Sequence, residues 1–115
     1  VRIEVRGRNV EVTEELRDAI HKRFKRVGSQ VSELATLEVE LREERNPRVT
    51  DSQIAEANLH VKGKTIRARE ASPEMLHSIH ELAEDVRRQV KKNRELRRGR
   101  ERTRRVLGRL RDDAA

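Results

Sequence analysis

The chain has 115 residues, with 28 Lys and Arg against 21 Asp and Glu, a formal net charge of +7, and a content of 33% apolar and 43% charged residues. That length admits one domain around a single modest core. The absence of cysteine excludes a disulfide framework and a thiolate zinc site, and no apolar run approaches the roughly 20 residues that span a bilayer.

Val1, Ile3 and Val5 alternate with Arg2, Glu4 and Arg6, the period of a half-buried strand. Gly7 and Asn9 mark the connection that follows. Thr13 is a suitable helix N-cap, and Glu14 and Glu15 suit the positive pole of a first turn. Leu16, Ile20 and Phe24 then recur every four residues, with Ala19 and Val27 beside them, so one stripe faces a core. Lys22, Arg23, Lys25 and Arg26 crowd the end of this helix, and Gly28 offers a stop.

Leu37, Val39 and Leu41 alternate with Glu38, Glu40 and Arg42, a second strand. Asn46-Pro47 marks a turn. Ala55, Ala57, Leu59 and Val61 alternate with Glu56, Asn58 and His60, a third strand. Lys62-Gly63-Lys64 is a short reversal, and Ile66 and Ala68 with Arg67 and Arg69 give a fourth. Ser72-Pro73 reads as the N-cap and first residue of a second helix. Met75, Ile79, Leu82, Ala83, Val86 and Val90 continue it as an apolar stripe to about Leu96. Gly99 and Gly108 weaken any extension by about 1 kcal/mol each relative to Ala. Leu96, Val106, Leu107 and Leu110 hint at an amphipathic tail that these glycines interrupt.

The order β-α-β-β-β-α predicts an α+β fold: a four-stranded mixed sheet with two helices on one face. Its one parallel pair is strands one and two, joined across the first helix by a right-handed crossover. The expected organisation is a domain over residues 1–98 and a basic tail over 99–115, partly helical or disordered.

The charge is segregated. Residues 87–111 hold thirteen Lys and Arg and only two acids, Glu95 and Glu101, whereas residues 1–86 sum to −2. One or two cations suit a helix C-terminus. Thirteen repel one another until a polyanion neutralises them, which points to nucleic acid. Phe24 is the only aromatic residue, so a base-stacking platform is excluded and recognition must use phosphates and shape.

Sites for chemistry are not in view. His77 and His80 stand three apart near Glu81 and Glu84, without the spacing of a zinc hydrolase or a third strong ligand. Glu43-Glu44 and Glu84-Asp85 are adjacent pairs that read as solvated. No Ser-His-Asp arrangement and no glycine-rich phosphate loop is evident. The expectation is a protein that is not an enzyme and that uses no metal, no cofactor and no small-molecule substrate.

The stretch Gly7-Arg8-Asn9-Val10-Glu11-Val12-Thr13 with Leu16, Arg17, Ile20, Arg23, Phe24 and Arg26 resembles the amino-terminal signature of bacterial ribosome hibernation promoting factors, also called ribosome-associated factor Y. Glu43-Glu44-Arg45-Asn46-Pro47 resembles that family's strand-two end and turn. Pro73-Glu74-Met75, Ile79 and Asp85-Val86-Arg87-Arg88-Gln89-Val90-Lys91-Lys92 resemble its second helix. The match spans about residues 1–94 and is closest to the short form or the amino-terminal domain. The chain departs from the pattern at Leu76, where the family often has an aromatic, and at Ser78, where it has Ala.

The resemblance implies a fold akin to double-stranded-RNA-binding domains. It implies a cytoplasmic protein, monomeric when free, that occupies the messenger and transfer RNA channel of the small ribosomal subunit and blocks translation without chemistry. It also implies contacts to ribosomal RNA by Arg23, Arg26, Arg88, Lys91 and Lys92. Lys22, Lys25, Arg87 and Arg94 join them on charge alone. Charge by itself also admits a general double-stranded-RNA or nucleoid-binding protein.

Overall fold

In the computed structural model the backbone is described for residues 1–114 and the side chains for residues 1–111. The elements are β1 (Arg2–Arg8), α1 (Glu14–Gln30), β2 (Thr36–Glu43), β3 (Gln53–Val61), β4 (Lys64–Ser72) and α2 (Met75–Ala114). The sheet order is β1-β2-β3-β4. β1 runs parallel to β2, and β2–β3 and β3–β4 are antiparallel. The expected α+β topology, with its single parallel pair, is therefore the one observed.

Alternation sets the two faces. Leu37, Val39 and Leu41 pair in register with Leu59, Ala57 and Ala55, and all six are buried. Their neighbours Glu38, Glu40 and Arg42 point to the opposite, open face. There the charges pair across strands: Arg42 to Glu56 at 3.1 Å, Arg69 to Glu56 at 3.5 Å and His60 to Glu38 at 2.7 Å. Such exposed pairs contribute about 0–1 kcal/mol each. They fix register more than they stabilise. The apolar face is covered by Ile20, Phe24 and Val27 of α1 and by Met75, Ile79, Leu82, Ala83, Val86 and Val90 of α2.

α1 begins as the sequence predicts: the Thr13 hydroxyl accepts from the Leu16 amide at 3.2 Å. It does not stop at Gly28 but runs to Gln30. Gly28 instead permits close approach. A Cβ there would lie 2.8 Å from Val1 Cγ1, so the absent side chain lets α1 lie against the start of the sheet. Gly63 does serve a turn, with φ of +74° between Val61 and Lys64.

α2 departs from expectation at both ends. Ser72 is the last residue of β4, and the helix starts at Met75. The Ser72 hydroxyl accepts from the Glu74 amide at 3.3 Å, so it closes a side-chain turn before the helix rather than capping Pro73. The helix also continues through Gly99 and Gly108 to Ala114, well past Leu96. No proline stops it, and the Arg, Glu and Leu residues between the glycines are strong helix formers. The side chains of residues 112–115, the end of the expected tail, lie outside those described. The long arm gives the molecule a longest extent of 68 Å and a radius of gyration of 18.5 Å, against about 13 Å for a compact chain of this length.

Candidate nucleic-acid interface

β1, β2 and β4 share one direction, and each helix returns against it, so α1 and α2 run parallel and pack side by side. A common cavity lined by Gln30 at the end of α1 and by Asn93 and Arg94 of α2 fixes their relative level. Residues 22–26 of α1 thus lie beside the stretch of α2 near residues 86–92. The topology brings the two basic segments together, which linear spacing alone could not establish.

Within those segments the side chains divide by helical phase, about 100° per residue. On α1 the core side is marked by Ile20, Phe24 and Val27, and Gly28 faces β1. Arg23 and Arg26 therefore fall on the flank toward α2, Lys22 on the solvent crest and Lys25 on the far flank. On α2 the Gln89 amide donates to the Arg67 carbonyl at 2.9 Å, which marks the flank over β4. Arg87, Lys91 and Arg94 fall on the flank toward α1, Arg88 on the crest, and Lys92 toward the β4 side. Eight of the nine are exposed. Arg87 is half-buried and donates to Glu84 at 2.9 Å, so part of its charge is already matched. Five of the nine cations thus border the seam between the helices, and the other four extend the basic surface around it.

Beyond residue 94 the arm adds Arg97, Arg98, Arg100, Arg102, Arg104, Arg105, Arg109 and Arg111, all exposed. Leu96, Val106, Leu107 and Leu110 are exposed on it as well. Three acids cluster on the β4 side of this surface. Glu70 on β4 meets Asp85 and Glu81 of α2. Its carboxyl is held above the usual range by burial first, then by the charge of Asp85 and a hydrogen bond with it, and then by Glu81. Arg88 acts in the opposite sense.

Phe24 is 1% exposed, so the single aromatic ring belongs to the core and none is presented to a ligand. Among the described residues no group of three His, Cys, Asp or Glu side chains could hold a metal ion. No helix among them is long and apolar enough to cross a membrane. The exposed cations of this surface can neutralise phosphates.

Known proteins match this architecture. A family described as Sigma 54 modulation protein / S30EA ribosomal protein matches residues 3–98. A ribosome hibernation promotion factor from Picosynechococcus sp. is 30% identical over 92 residues, which are 79% of this chain and 48% of that protein, so the chain spans about half the length of this relative. A ribosome hibernation promoting factor from Klebsiella oxytoca is 30% identical over 95 residues, 83% of this chain and 95% of the relative. A ribosomal subunit interface protein from Coxiella burnetii has the same fold, with a TM-score of 0.71 at 20% identity over 83% of this chain and 99% of that one. The amino-terminal domain of Thermus thermophilus Protein Y superposes with a TM-score of 0.69 at 22% identity over 80% of this chain and 98% of that one. The parallel helix pair, the sheet order and these matches together place the chain in the family of ribosome hibernation promoting factors, the Sigma 54 modulation protein / S30EA ribosomal protein family.

Proposed function

We propose that this chain binds the small ribosomal subunit in the channel used by messenger and transfer RNA and silences translation by occupying it, with no chemical step. The observation that carries this reading is the parallel pairing of α1 and α2. It gathers Lys22, Arg23, Lys25, Arg26, Arg87, Arg88, Lys91, Lys92 and Arg94 around one seam without an aromatic side chain among them. Cations in that arrangement neutralise phosphates of folded ribosomal RNA and read its shape. Family membership supplies the ribosome as the source of that RNA. A cytoplasmic location and a monomeric free state belong to the same reading.

Replacing Arg88, Lys91 and Lys92 together with Glu tests it. All three are exposed, so the fold should survive, and co-sedimentation with small subunits should be lost at physiological salt. The logarithm of affinity should fall with the logarithm of salt by about 0.7–0.9 per phosphate neutralised, and the triple variant should flatten that slope by about 2–3. Undiminished co-sedimentation would remove these residues from the interface. Equal affinity of the wild-type chain for bulk duplex RNA and for ribosomes would favour a general duplex-binding protein instead.

A further inference from the structure

The C-terminal end of α1, residues 90–97 of α2 and the β3–β4 turn converge at one end of the sheet, and a cleft opens there. Its inner cavity, about 230 Å³, lies between Gln30 at the end of α1, Lys62 of the hairpin, and Asn93, Arg94 and Arg97 of α2. It adjoins a second cavity of about 520 Å³ that shares Lys62 and Arg97 and is bounded by Leu34 on its outer side. No acidic residue lines either cavity, although the chain has 21. Lys62, Arg94 and Arg97 form no salt bridge among the described residues.

A bland explanation is that these cations answer the negative pole of α1, whose own last turn has no basic residue. That pole is worth about half an elementary charge. One cation offsets it, and three leave a surplus of about two and a half. The cleft also holds more than charge. The Gln30 side-chain oxygen is buried without a hydrogen-bond partner, and an unmatched buried acceptor is costly until a donor arrives. The half-buried Val31 and Val61 give the inner cavity an apolar wall, backed by the buried Ile66 and Val90. At neutral pH a bare phosphate offers a hydroxyl donor but no body to lie on that wall. A nucleoside with its phosphates offers both.

We propose that this cleft is a nucleotide-binding site. Lys62, Arg94 and Arg97 take the phosphates, Gln30 and Asn93 meet hydroxyl or amine groups of the sugar or base, and the ring lies against the apolar wall. The nucleotide belongs either to an RNA strand or to a free nucleoside polyphosphate. Arg94 is shared with the nine residues assigned to the ribosome, whereas Lys62 and Arg97 lie outside them, so variants of these two test the cleft separately from that assignment.

Titration of the isotope-labelled full chain, followed by nuclear magnetic resonance, tests the site with three probes: ATP, an RNA trinucleotide and pyrophosphate. ATP and the trinucleotide should shift the side-chain amide signals of Gln30 and Asn93 and the backbone amide of Gly63. Pyrophosphate should bind about tenfold more weakly than ATP. The Lys62→Gln, Arg97→Gln double variant should weaken ATP and the trinucleotide by about tenfold or more, with an unchanged circular dichroism spectrum. Lys62→Gln alone provides the same reading if the double variant is unstable. The tighter of ATP and the trinucleotide identifies the source. Unmoved Gln30 and Asn93 signals, an affinity insensitive to the variant, or pyrophosphate as tight as ATP would overturn the proposal.

Discussion

At the residue scale, two side chains show how much the local surroundings add to identity. Ser78 stands where the resemblance leads one to expect Ala, and in the sequence it looks like a neutral exchange. It is fully buried. Its hydroxyl donates to the Gln53 carbonyl at 2.6 Å and shares a hydrogen bond with the Ser72 hydroxyl at 2.7 Å, which ties the start of β3 and the end of β4 to the first turn of α2. Ser78→Ala should cost about 1–2 kcal/mol in urea unfolding, because the Gln53 carbonyl loses a buried donor; no change would mean that the carbonyl finds another. Glu70 is the second case. The folded chain holds its proton over a window in which the unfolded chain has released it. The stability linked to that proton is complete below the ordinary carboxyl pKa and is lost as pH rises through the raised value. Glu70→Gln should therefore flatten the decline in melting temperature across that acidic window and melt higher than the parent at neutral pH. Parallel melting curves for the two proteins would contradict this. Neither feature was legible in the sequence, since both depend on which turn of α2 meets β4.

At the element scale, periodicity was a good guide to type and a poor one to ends. The alternating strands and the four-residue apolar stripes fell where the pattern puts them, with Thr13 as the cap of α1. Gly28 misled as a stop because its role is contact with Val1, a long-range reason that no local signal carries. Ser72 misled as an N-cap because it ends a strand first. The arm of α2 is the largest departure. Its glycines weaken a helix without breaking it, and nothing in the described structure packs on its outer turns. Its helicity thus rests on local propensity alone. Gly99→Ala and Gly108→Ala should each favour the helix by about 1 kcal/mol. Both should deepen the 222 nm ellipticity and leave the cooperative unfolding of the body unchanged. A shift in the body's midpoint would show that the arm is coupled to the core.

At the scale of the whole molecule, charge segregation is the property that the sequence displays most openly and the fold makes specific. The cations of Arg87–Arg94 were readable as a run. That they lie beside Arg23 and Arg26 follows only from the two helices running parallel, which requires the crossover from β1 to β2 and the return after β4. The nucleotide cleft was not legible for the same reason: Lys62 reads as part of a turn until the hairpin is set against the ends of both helices. The outer arginines extend the basic surface beyond the body along a 68 Å molecule.

The most direct measurement of the central claim is chemical footprinting of small-subunit ribosomal RNA with and without the chain. The account predicts protection of nucleotides that line the messenger and transfer RNA channel, and loss of that protection with the Arg88, Lys91 and Lys92 triple variant. Protection confined to the outer surface of the subunit, or unimpeded binding of transfer RNA with the chain in place, would contradict it.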